Sequence, residues 1–320
     1  MTDMMTRAQL TILAQTLGAD PADLAFLERL GAHDIRALGE ALSDALFDSL
    51  APTFARLSKL APLVPNALVI TVAQKAIPPE VGGRAGGAIG MDHPDRAPAI
   101  LGGLSPTYLA DAAPFVDPRV IPIFAPRLAA ELLIPSANEL LRRRDYLTAS
   151  RFVEHATEQL VREFERGIDD DEGLIRTAAL VSSTDRLTDI FRVVTPARRE
   201  RIAATALAGS PDTVLALLSV LARVDSDIAA PLCNQVFGGA DVARTLEIAT
   251  TRGASTEFLD IVDHLTDETL AAVVDSSYFT DEARLGVLEQ AATTDQRRRA
   301  WRRLAHATSP APPTATSAAG

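Results

Sequence analysis

Three groups of side chains have the types and spacing to do chemistry. Asp169, Asp170, Asp171 and Glu172 are four consecutive carboxylates. Hard cations such as Mg²⁺ and Ca²⁺ prefer carboxylate oxygens, so the run is a candidate metal site. Consecutive side chains diverge unless the backbone turns them together, and the run lacks the spaced Asp/Asn pattern and distal Glu of an EF-hand loop. The alternative is a solvated helix start, where the helix dipole favours negative charge.

The densest polar group is Arg142, Arg143, Arg144, Asp145, Tyr146, Arg151, Glu154 and His155. Arg151 and His155 are four apart and share one side of a helix, and His155 with Glu158 makes an i, i+3 pair. An anion or a partner's carboxylate could dock at Tyr146, Arg151, Glu154 and His155; ordinary surface pairing would use the same residues. Toward the C-terminus, Arg297, Arg298, Arg299, Trp301, Arg302 and Arg303 combine cations with an aromatic ring. That suits a membrane-surface or acidic-partner contact, and it equally suits the negative end of a helix dipole.

Gly82, Gly86 and Gly90, with Gly83 and Gly87, recur every four residues. The order GGRAGGAIG satisfies neither the dinucleotide fingerprint nor the phosphate loop. A smooth helix face, a hinge, or close approach of a ligand at Gly82 and Gly86 are the roles left.

Reaction motifs are missing. The five histidines, His33, His93, His155, His264 and His306, form no HExxH pair, no serine sits in GxSxG, and Cys233 is the lone cysteine. No disulfide can form within the chain, which suits a reducing compartment. A non-catalytic protein is expected, with no cofactor beyond the Mg²⁺ reading.

The elements that would position these residues are short helices. Ser183 precedes Leu187, Ile190, Phe191 and Val194; Ser210 precedes Val214, Leu217, Leu218 and Leu221; Ser255 precedes Phe258, Ile261, Val262 and Leu265. Each stripe follows i, i+3, i+4, i+7, which lines one side of an α-helix. A hydroxyl at the cap accepts from the free amides of the first turn, and Asp185, Asp212 and Glu257 add charge of the favoured sign. Ser105-Pro106, Asp117-Pro118, Thr195-Pro196 and Ser210-Pro211 each read as a cap followed by proline at the first helical position. Isolated helices of about three turns are marginal in water, so the units must be held by packing on neighbours. An all-α solenoid or superhelix of short stacked helices follows.

Residues 6–77 read as several longer helices that cap the array. One would start at Asp20-Pro21 and stop at Gly31, and another would start at Asp34. Pro78-Pro79 marks a boundary, giving an N-terminal helical cap over 1–80 and a repeat region over 81–305. A longer polar helix is expected from about Ser136 to Arg166. The segment 306–320, Pro-, Ala-, Ser- and Thr-rich, is expected to be disordered.

The 320 residues are 47% hydrophobic and only 5% aromatic, with formal charge −11. The apolar mass is largely Ala, Leu and Val, which suits closely packed helices. The acidic balance argues against nucleic-acid binding. The most apolar run, Leu63 to Ile77, is broken by Pro65 and Asn66 and is too short for a bilayer, and Met1 to Thr16 lacks the pattern of a secretory signal. A cytoplasmic protein without a transmembrane segment is expected.

The strings HPDRAPAILGGLSPTYLADAAPFVDPRVIPIFAPRL and SSTDRLTDIFRVVTPARRERIAATAL resemble the helical N-terminal domain of MgtE-type magnesium transporters, over roughly Asp92 to Ala292. The resemblance implies a right-handed superhelix and a regulatory role responsive to magnesium. The nucleotide-binding-like and membrane modules of those transporters have no counterpart in this sequence, and no family ligand maps onto it residue by residue. The expected function is a protein-interaction or regulatory scaffold; carriage of a hydrophobic small molecule or a cation-responsive role are the alternatives.

Overall fold

A computed structural model describes residues 4–60 and 63–308; of the segment 306–320 read above as disordered, 306–308 are instead the last residues of a helix, and the rest lies outside the described residues. Among the described residues there is no strand, and the chain is helical almost throughout. The N-terminal part holds α1 (Met4–Leu17), a 3-10 segment (Pro21–Leu30), α2 (Gly31–Leu60), α3 (Asn66–Ala76) and α4 (Pro79–Asp92). Short helices follow: α5 (Ala97–Leu101), α6 (Pro106–Ala112), α7 (Ile121–Phe124), α8 (Ala130–Arg142), α9 (Tyr146–Val153) and α10 (Glu158–Gly167). The series continues through α11 (Asp171–Ala178), α12 (Thr184–Val193), α13 (Pro196–Ala208), α14 (Pro211–Leu221) and α15 (Ser226–Phe237). It closes with α16 (Val242–Thr251), α17 (Ser255–Ile261), α18 (Asp267–Val274), α19 (Glu282–Ala291) and α20 (Asp295–Thr308).

The caps act as their residue types require. Ser105, Thr195, Ser183 and Ser210 each accept from the amide three residues on, and Asp20 and Asp117 from the amide two residues on. Ser255 differs. Gly253, at φ +76°, turns the chain sharply after α16, and Ala254 takes the cap position, leaving Ser255 buried in the first turn. At the N-terminal end, Gly31 does stop the 3-10 segment, but α2 begins at that same residue rather than at Asp34.

The single helix expected over 136–166 is three. Arg144 adopts φ 60° and ends α8, Asp145 then accepts from Thr148 N–H to start α9, and Thr157 accepts from Leu160 N–H to start α10. Two capping side chains and one left-handed residue thus restore the short unit where the apolar stripe looked continuous.

Packing is between near neighbours in the chain. One row runs α2, α4, α6, α8, α10, α12, α15, α18 and α20, each on the next, and another runs α9, α11, α14, α17 and α20. Several polar contacts between neighbouring units span 29 or 30 positions, and others 31 to 37: Gln74 to Gly103 O, Asn138 to Gly167 O, Ser183 N–H to Glu154, Arg201 to Asp171 and Asn234 to His264 O are of the first kind. That interval is the length of one helix pair, as in a stack of repeats. The main core lies between Ile175 and Leu304, with a separate small cluster of Leu10, Leu13 and Ile35 where α1 meets α2. α2 packs on α4, so contacts cross the boundary read at Pro78-Pro79.

Candidate functional site

The residues that stand out in three dimensions lie where α1 crosses the stack. The Leu10 and Leu13 side of α1 packs on Ile35 and Leu42 of α2, a conventional amphipathic contact. Its other side reaches residues far along the chain. Gln9 Nε2 donates to Ser182 Oγ at 3.0 Å; Arg7 donates to the carbonyls of Arg252 at 3.0 Å and Gly253 at 2.8 Å; and Met4 N–H donates to Glu257 Oε1 at 2.7 Å. Glu257 is itself buried, and Thr256 Oγ1 donates to its second oxygen at 2.7 Å. A carboxylate thus sits on an amide at the start of α1, where the helix dipole rewards it.

The floor of this seat is held by arginine. Arg223, on the loop after α14, donates to the carbonyls of Val181 at 2.7 Å and Ala179 at 3.0 Å, and also to that of Ser219 at 3.0 Å. These include the open carbonyls at the end of α11, which a guanidinium satisfies and whose negative dipole end it neutralises. Burial holds the Arg223 guanidinium down to about 10, against the opposing pull of Glu257 and Glu154. Arg186 does the same one unit earlier, donating to the carbonyls of Glu154 and Ala156, and Arg198 does so for Glu165 and Ile168. Beside α1, Tyr146 carries the Arg176 guanidinium over its ring at 4.8 Å, and the two line a cleft of about 170 Å³ with Met4, Ala8, Asp212 and Ala216.

Tyr146 opens α9, whereas Arg151 lies in its last turn and Glu154 and His155 follow its end, and the four have different tasks. Tyr146 is part of the seat. Glu154 accepts from Ser183 N–H at 3.1 Å and so secures the start of α12. Arg151 is half-buried, and desolvation lowers its pKa while Asp145 opposes the shift. His155 lies exposed at the edge; partial desolvation of its ring holds its imidazole below the usual histidine range, with Arg186 and Arg36 acting in the same direction and Glu154 against it.

The glycine run is inside α4 and faces the following segment. A Cβ at Gly82 would strike the Tyr108 hydroxyl, at Gly83 the Ala112 carbonyl and Phe115, and at Gly90 the Phe124 ring; at Gly87 it would lie 3.0 Å from Asp117 Cβ. Gly86 faces open space. Close packing of backbone on side chain is what these glycines permit, and the space beside Gly82 is filled by Tyr108.

The four carboxylates at 169–172 separate. Asp170 accepts from Gly173 N–H at 2.8 Å as the α11 cap, Asp171 is buried between Arg198 and Arg201 at 2.7 and 2.8 Å, and Glu172 accepts from Thr213 Oγ1 at 3.0 Å. Among the described residues no group of three His, Cys, Asp or Glu could hold a metal ion. The C-terminal arginines are also engaged. Arg297 grips Asp260 with two hydrogen bonds at 2.9 and 2.7 Å, Arg303 donates to the carbonyls of Val262 and Leu265, and Trp301 packs against the main core.

Chemically, the seat offers a carboxylate, main-chain carbonyls and apolar contacts to one helix. Cys233 is buried, and burial pushes its thiol up to about 12, so it supplies no thiolate near neutral pH. Sequence reading missed Arg7 and Arg223, and took Glu257 only as first-turn charge on its own helix. Their partners lie tens to hundreds of positions away, and no local spacing encodes that.

The molecule is thus an all-α protein of short stacked helices with one helix laid back on the stack. No protein family, curated protein or solved structure matches the chain. Among the described residues no helix is long and apolar enough to cross a membrane.

Proposed function

We propose that this is a non-catalytic helical repeat protein that binds a protein partner by seating one of the partner's helices on its stack, and that it serves as an interaction or regulatory scaffold. The observation that carries the reading is α1 itself. The stack holds a helix by its first amide, at Glu257, and by an arginine on exposed helix-end carbonyls, at Arg252 and Gly253. The groups that accept α1 would accept a partner's helix in its place, the helix-in-groove mode of recognition, with α1 lifting as the partner binds. The resemblance to the regulatory domain of magnesium transporters points to the same class of role.

Native pull-down with crosslinking tests it. A partner crosslinked near Tyr146 or Glu257, and weakened by Glu257→Ala, supports the proposal. A protein that captures no partner under native conditions while turning over a small molecule overturns it.

A further inference from the structure

Among the described residues, the large apolar side chains left exposed are confined to one part of the chain. Leu63, at 78%, Leu68, at 54%, and Val72, at 41%, are among ten such residues that all fall between positions 17 and 91. The sharpest case is α3, an apolar helix in which no residue is buried. Its orientation is fixed from one side. Ile70 meets Gly103, and Gln74 donates to the Gly103 carbonyl at 3.1 Å. Leu68, Val72 and Lys75 follow i, i+4, i+7 on the other side of the helix, and all three are exposed.

Along the chain, the charge flanking this face is unlike the rest, while in space Asp92 accepts from Ser58, next to Lys59. Among 42 acidic residues, none lies between Asp48 and Glu80, while Arg56, Lys59 and Lys75 do. Lys59 and Lys75 are also the only lysines in the sequence; apart from the five histidines, every other basic side chain is arginine. Arginine is the residue of bidentate ion pairs, and throughout the described structure the ion pairs of basic side chains are made by arginine. Lysine is a point charge on a long flexible stem, suited to reaching over an apolar surface into water or headgroups. The face also has aliphatic side chains and no Trp or Tyr, whereas protein interfaces draw their binding energy from Trp, Tyr and Arg.

We infer that the face of α3 formed by Leu68, Val72 and Lys75, flanked in the chain by Lys59 and Leu63, docks on an anionic lipid surface. The aliphatic side chains enter the headgroup boundary and the lysines stay at the level of the lipid phosphates. The inference is independent of the helix seat described above, which lies on other elements.

Flotation of the full-length protein with vesicles tests it. Mixed phosphatidylglycerol–phosphatidylcholine vesicles should carry the protein and pure phosphatidylcholine vesicles should not, and added salt should release it. Leu68→Ser with Val72→Ser should lower the bound fraction about tenfold or more, and so should Lys59→Ala with Lys75→Ala. Because these side chains are exposed, both double variants should keep the wild-type melting temperature. Wild-type protein that ignores anionic vesicles, or binds neutral ones equally, overturns the inference. So does concentration-dependent dimerisation abolished by Leu68→Ser with Val72→Ser, which would give the face to a second copy, or an acidic protein captured there in place of lipid.

Discussion

The Met4 amide donates to the Glu257 carboxylate at 2.7 Å, joining residues 253 positions apart. This contact fastens the first described turn of the protein to a helix near the other end of the stack, beside the Arg7 and Gln9 hydrogen bonds that also hold α1. A charged acceptor at a helix start is worth about 1 kcal/mol. Glu257→Ala should therefore raise amide exchange in residues 4–10 several-fold and leave α14 protected. Exchange read by mass spectrometry would show it, and unchanged protection of α1 would remove Glu257 from this role.

Arg223 is a costly side chain to truncate. Removing its guanidinium strands the carbonyls of Ala179 and Val181 in the interior. Arg223→Met, which keeps much of the apolar stem, should destabilise the protein by about 3 kcal/mol in denaturant unfolding. A loss below about 0.5 kcal/mol, typical of surface positions, would show that water replaces the guanidinium there.

The glycines of α4 should respond in opposite directions. Gly90→Ala drives a methyl group into the Phe124 ring and should cost about 1–3 kcal/mol. Gly86→Ala meets nothing within 4 Å and should stabilise by about 0.5–1 kcal/mol through helix propensity alone. Equal effects in thermal melting would contradict the packing role assigned to this face.

His155 should titrate below an ordinary histidine, since partial desolvation and the cations Arg186 and Arg36 outweigh Glu154. Its depressed native pKa means that the unfolded chain binds the proton more tightly. Stability from this group is therefore present above the unfolded histidine range and declines as pH falls through it. An NMR titration of the His155 ring measures the shift directly, and His155→Gln should reduce the acid-induced fall in melting temperature. A midpoint at or above the usual value would reverse the sign.

The buried thiol of Cys233, pushed up to about 12, should resist a thiol-specific disulfide reagent in native buffer and react fully after denaturation. Rapid native labelling would mean that α15 opens locally.

Helix identity and most helix starts were legible from the sequence because their causes are local. A serine, a following proline and a stripe at i, i+3, i+4, i+7 all act within one turn or two, and Ser183, Thr195 and Ser210 cap as their types require. The break at Arg144 was not legible, since a left-handed arginine between two leucine-bearing stretches carries no cue of its own.

Composition and spacing thus determined an all-α chain of short helices that cannot stand alone. The three-dimensional arrangement decided which polar residues matter. It placed the carboxylates of Asp170, Asp171 and Glu172 on separate partners, filled the space beside Gly82 with Tyr108, and brought Arg7, Gln9 and the Met4 amide onto residues between 182 and 257. The reason is physical: a cap or stripe depends on neighbours in the chain, whereas a buried carboxylate or guanidinium is defined by the group that desolvates it and the group that pairs with it. Both are set by how the helices stack.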